Sequence, residues 1–169
     1  QRVQLVLDSL EPLKAIREQL RVGREGNPVV RFAERDPAAI TLDGRLQDAF
    51  WQQVPTHELN DVTTGERVRN RSRFQVAWAG DSLYFAIHCE EESMGSLVTP
   101  ATRDGDNTIF DGDSVELLLE TATHAYYQLS IDPQGHVNDL DRPGAPMLGR
   151  TGPYDTKWNA GVEVATHRG

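Results

Sequence analysis

The chain has 169 residues, 38% of them hydrophobic, and carries 26 acidic against 17 basic side chains for a formal charge of -9. That length buries one good core and a small appendage, and the acidity works against nucleic acid and anionic membrane surfaces while leaving neutral ligands and cations open. No apolar run approaches the roughly 18 residues that cross a bilayer, and the single cysteine, Cys89, excludes an internal disulfide or a cysteine-rich zinc site.

In chain order, VQLVL near the N-terminus suits a short strand. DSLEPLKAIREQLRVG then offers Ser9 as an N-cap, Pro12 in the first turn, Leu10, Leu13, Ile16 and Leu20 at helical spacing, and Gly23 as a stop. With the charged linker GREGNP, residues 1–30 are expected to form a strand, helix and linker extension that packs on the main domain or belongs to a neighbouring one and contributes no chemistry.

From Arg31 the pattern changes to short strands and turns. RFQVAWA alternates Phe74, Val76 and Trp78 with Arg73, Gln75 and Ala77, which predicts Trp78 in the core; SLYFAIHCE alternates likewise and places Cys89 as a small buried hydrophobe. AGDS joins the two as a hairpin. SVELLLE sets Val115, Leu117 and Leu119 against Ser114, Glu116 and Leu118, and AYYQLSID sets Tyr127, Leu129 and Ile131 against Tyr126, Gln128 and Ser130. PQGHVND turns into a further short strand, and KWNAGVEVA closes the chain. Strands at this spacing, with no alternating helices, predict an all-β fold: an antiparallel, jelly-roll-like β-sandwich over residues 31–169 behind the helical extension.

The densest cluster of polar residues is DGDNTIFDGDSVE. As an EF-hand it fails, because Ile109 stands where glycine is required and Glu116 falls one residue late. A looser structural calcium site using Asp104 and Asp106 remains an expectation, since hard cations favour oxygen-rich loops. HExxH, GxSxG, Walker and dinucleotide glycine motifs do not occur, and the five histidines lack ligand spacing, so no enzymatic activity is expected of this chain by itself.

ITLDGRLQDAFWQQV, FQVAWAGDSLYFAIHCEE, IFDGDSVELLLE, YYQLSIDPQGHVND and KWNAGVEVA, in that order, resemble the family 9 carbohydrate-binding modules over Ile40 to the end. The resemblance implies a β-sandwich in a protein acting outside the cytoplasm, whether extracellular, periplasmic or on the cell surface, with a carbohydrate as its partner. It also implies a shallow sugar site in which Phe110 replaces a stacking tryptophan, Glu116 accepts hydrogen bonds from sugar hydroxyls, and Ser130 stands where an arginine grips the sugar. Asp111 and Gln128 would complete that polar margin. A phenyl ring offers less area than indole and serine lacks the guanidinium fork, so sugar binding should be weak. The resemblance further implies that the last strands of the sandwich are missing here, to be supplied by further residues or another chain. Two other outcomes follow from related sandwiches: an accessory or interaction module that has lost the sugar site, and a haem-binding electron-transfer module using Met94 or Met147 with a histidine.

Overall fold

The computed structural model describes residues 34–35, 40–119, 126–142, 155 and 157–169; the extension expected over residues 1–30 lies outside them. Among the described residues the chain is all-β. Its strands are β1 (Glu34–Arg35), β2 (His57–Glu58), β3 (Ser72–Ala79), β4 (Ser82–Cys89), β5 (Val115–Leu119), β6 (Tyr126–Ile131) and β7 (Val137–Arg142). Short 3-10 turns occur at Trp51–Gln53, Met94–Ser96 and Asn107–Asp111.

The first sheet is built on β3, which pairs with β4 along its whole length and with β1 and β2 on its other edge; only the two-residue β1 runs parallel. The β3–β4 register runs from Ser72 opposite Cys89 to Ala79 opposite Ser82, so Gly80 and Asp81 form a two-residue turn. Gly80 has φ 56, the positive value that a type II′ hairpin requires at its first central position and that glycine adopts without a Cβ penalty.

The core of this sheet lies on its small-residue face. Ala77, Ala79 and Ala86 are covered by Phe50, Trp51 and Val54, with the Phe50 and Trp51 rings edge to face at 5.0 Å. Alanines leave the depth that two aromatic rings need, and burying Phe50 alone contributes about 1.5 to 3 kcal/mol. Gln75, on the same face, donates its amide to the carbonyls of Trp51 and Val54 at 2.7 Å each and so pins the covering turn to the strand.

Two expectations are corrected here. Trp78 is 42% exposed rather than core, because alternation puts it on the face opposite the alanines, one residue from the end of β3. Cys89, the last residue of β4, is exposed at the end of its strand, next to the exposed His88 and Glu90.

The second sheet has the order β5-β6-β7, all antiparallel. The β6–β7 hairpin is shaped by Asp132, a buried carboxylate. Its Oδ1 accepts the backbone N–H groups of Gln134 and His136 at 2.9 Å, and its Oδ2 lies 3.0 Å from His136 Nδ1. Burial pushes the Asp132 carboxyl up, but the hydrogen bonds from the His136 ring, the His136 N–H and the Gln134 N–H together hold it below the ordinary range.

KWNAGVEVA contains no strand. Residues 157–169 run irregularly instead: Trp158 stacks on Tyr127 at 4.8 Å, the Ala160 N–H meets Asp139 Oδ2 at 2.6 Å, and the backbone of Thr166 and His167 lies on the turn at Gly44. A Cβ on Gly44 would sit 2.7 Å from the Thr166 carbonyl carbon, and its φ is 75, so glycine is required there twice over.

Candidate functional site

The site grows from the acidic loop. Asp106 caps the 3-10 turn Asn107–Asp111: its Oδ1 accepts the Thr108 N–H at 3.0 Å and hydroxyl at 2.8 Å, and its Oδ2 accepts the Thr102 N–H and hydroxyl. The Thr108 hydroxyl and N–H, then the Thr102 N–H, hold this carboxyl down at about 2. Asp104 Oδ1 accepts the Val137 N–H at 2.9 Å, and the Gly105 N–H donates to the Val137 carbonyl, so the loop docks at the start of β7.

Register then places the expected residues. Glu116 of β5, Ser130 of β6 and Asn138 of β7 stand in one row across the sheet, and Leu118, Gln128 and Leu140 in the next. All six share a face, because directly opposed residues point the same way. Asn138 donates its side-chain amide to Asn107 Oδ1 at 3.0 Å, which ties the start of the 3-10 turn to that face. In a 3-10 turn residues three apart eclipse, so Phe110 projects on the same side as Asn107, while Ile109 is directed into the core at 1% exposure. Phe110 is 42% exposed, Glu116 and Asp111 are exposed, and Leu118 adds an apolar side chain that is 55% exposed.

The chain around Phe110 is tightly held. Gly112 ends the turn, and a Cβ there would lie 2.4 Å from both the Val98 carbonyl oxygen and Pro100 Cδ. Val98 and Asp113 exchange two hydrogen bonds of 2.7 Å, one through the Asp113 carboxylate. Neither Asp111 nor Glu116 has an ion-pair or hydrogen-bond partner among the described residues. Register places Arg142 on the same face two rows further along, buried, with its guanidinium 5.1 Å from the Tyr126 ring centroid.

No model of a known protein family matches this chain. Comparisons with characterised proteins and with solved structures likewise find no match.

Register places Glu116 and the half-buried Gln128 on one face of the second sheet, and Phe110 and Asp111 lie in the 3-10 turn that Asn107 ties to Asn138 of the same face. The structure does not put Ser130 with them at the surface: Ser130 is 0% exposed and its hydroxyl has no hydrogen-bond partner, so it lies beneath the site where the resemblance places a ligand-gripping arginine. Asp104 and Asp106 direct their carboxylates to donors of the protein itself, and among the described residues no three His, Cys, Asp or Glu side chains converge as metal ligands. Of the two candidate haem-ligating methionines, Met94 is a partly exposed residue of the 3-10 turn Met94–Ser96, and Met147 lies outside the described residues. The Asn107–Asn138 contact was not foreseen: it joins residues 31 apart, and the only trace in the sequence is an unremarkable asparagine in each segment.

Proposed function

We propose that this chain is a non-catalytic carbohydrate-binding module, a β-sandwich similar to the family 9 modules, acting outside the cytoplasm. What supports the proposal is the 42% exposed Phe110 in a turn that Asn107 ties to Asn138, together with the exposed Glu116 in the same strand row as Asn138. A flat, rigidly held phenyl ring suits the C–H face of a pyranose, and a free carboxylate accepts two sugar hydroxyls at once. Gln128 adds an amide that both donates and accepts. Two separate sheets, with apolar side chains alternating along β3, β4 and β6, support the sandwich reading.

One stacked ring and one or two charge-assisted hydrogen bonds support an affinity no tighter than about 1 mM. Titration with soluble cello-, xylo- and manno-oligosaccharides followed by NMR, together with pull-down on insoluble plant polysaccharide, tests the reading. Binding that disappears in Phe110→Ala is the expected result. Binding that is unchanged in that variant removes the platform. The burial of Ser130 favours one other reading, an accessory sandwich whose sugar site has been closed, and absence of binding to every glycan tested would select it.

A further inference from the structure

We propose that the Phe110 face prefers ligands bearing a positive charge, amino sugars and their polymers, over neutral and acidic glycans; this rests on the carbohydrate-binding reading above. The segment from Arg103 to Glu116 holds five carboxylates, Asp104, Asp106, Asp111, Asp113 and Glu116, against one base. Three of the five are engaged: Asp104 by the Val137 N–H, Asp106 by Thr102 and Thr108, and Asp113 by the Val98 N–H. The other two, Asp111 and Glu116, have no partner among the described residues: one stands beside the exposed ring in the chain, and the other lies in the row of Asn138, to which the turn carrying the ring is tied.

An aromatic face with carboxylates at its margin attracts an ammonium group twice, through the ring quadrupole and through direct charge. The same carboxylates repel a uronic acid. A second observation points to the same place. Ser130 stands directly opposite Glu116, about 5 Å away between Cβ atoms for such a pair, and its enclosed hydroxyl is an unfilled donor. A Glu116 side chain drawn against the sheet by a bound ligand meets that donor, which is the pairing the free state leaves unmade. Among the described residues of these three strands the base on this face is Arg142, which packs over Tyr126 two rows away from Glu116.

The test compares glucosamine oligomers with N-acetylglucosamine oligomers of the same length in mildly acidic buffer, where the free amines are protonated. Cello-oligosaccharides and oligogalacturonate are run alongside by calorimetry. The expected result is a preference of roughly fivefold for the amine over its acetylated counterpart, fading as salt is raised, and no binding of galacturonate. Asp111→Asn combined with Glu116→Gln should erase that ratio. Equal binding of amine, acetylated and neutral oligomers overturns the charge preference and leaves the carbohydrate reading standing, whereas failure of all four to bind overturns both. Amine binding that survives Phe110→Ala reports general attraction to an acidic protein and also overturns the proposal.

Discussion

Replacing Gly112 by alanine probes how the chain poses Phe110. Gly112 has φ -133, a conformation open to any residue, so the effect of a side chain there is purely one of space. The added methyl would fall 2.4 Å from the Val98 carbonyl oxygen and 2.4 Å from Pro100 Cδ, whereas comfortable separations are about 3.5 Å. Something must therefore move by about 1 Å. The Val98 carbonyl cannot retreat alone, because it accepts the Asp113 N–H at 2.7 Å while the Val98 N–H is held by the Asp113 carboxylate. Overpacking of this kind costs about 1 to 3 kcal/mol, and losing one of those hydrogen bonds costs about 1 more. For a domain of this size the melting temperature should fall by about 3 to 12 °C. Glycan binding should weaken as well, since the turn carrying Phe110 ends at this residue. Gly95→Ala is the control: a Cβ there meets nothing within 4 Å, and its stability should stay within about 0.5 kcal/mol of the parent. A Gly112→Ala protein that melts with the parent in differential scanning calorimetry would refute the idea that close packing against Val98 positions the turn.

Asp132→Ala frees the N–H groups of Gln134 and His136 and removes the partner of the His136 ring; urea unfolding should show a loss of about 2 to 4 kcal/mol, part of it restored by asparagine, which keeps one acceptor. Because the folded carboxyl of Asp132 lies below its ordinary value of 3.8, its contribution is present in full above that pH and disappears as acid carries the protein down through the folded value. Asp106 should behave alike, with its carboxyl carbon titrating by NMR at about 2 and its share of stability lost between 3.8 and that pH; a midpoint near 3.8 would show that Thr102 and Thr108 do not hold it. Trp158→Ala removes a stacked contact with Tyr127 at 4.8 Å and should lower stability by about 1 to 2 kcal/mol in the same urea assay, with phenylalanine recovering most of it.

β3 to β6 were legible because their segments alternate with a two-residue period: RFQVAWA, SLYFAIHCE, SVELLLE and AYYQLSID match them to within a residue at either end, and the Gly80 turn followed from its glycine. Alternation said nothing of Phe110, which was singled out by its place at the mouth of a strand and by the family resemblance; it is 42% exposed. What alternation cannot say is which of its two sets becomes covered. In β3 bulk suggested the face of Phe74, Val76 and Trp78, yet the closed cluster formed on the alanine face, where Phe50 and Trp51 fit from more than 20 residues away.

β7 shows the same limit in its sharpest form, and shows why Ser130 could not be placed from sequence. VNDLDR offers Val137, Asp139 and Asp141 on one side and Asn138, Leu140 and Arg142 on the other, and the buried side is the one with an amide and a guanidinium. Burying such groups is tolerable only if each meets a partner. Asn138 meets Asn107 and Arg142 lies over the Tyr126 ring, and both arrangements depend on which strand stands beside β7 and on where the acidic loop docks. Asn107 bound to Asn138 ties the 3-10 turn to the row that contains Ser130, which is buried while Glu116, in the same row, is exposed. Asn107→Ala should report on both together: loosening the turn should expose the serine row to hydrogen exchange at the Ser130 amide and weaken glycan binding in parallel. Loss of either without the other would separate the turn from the site.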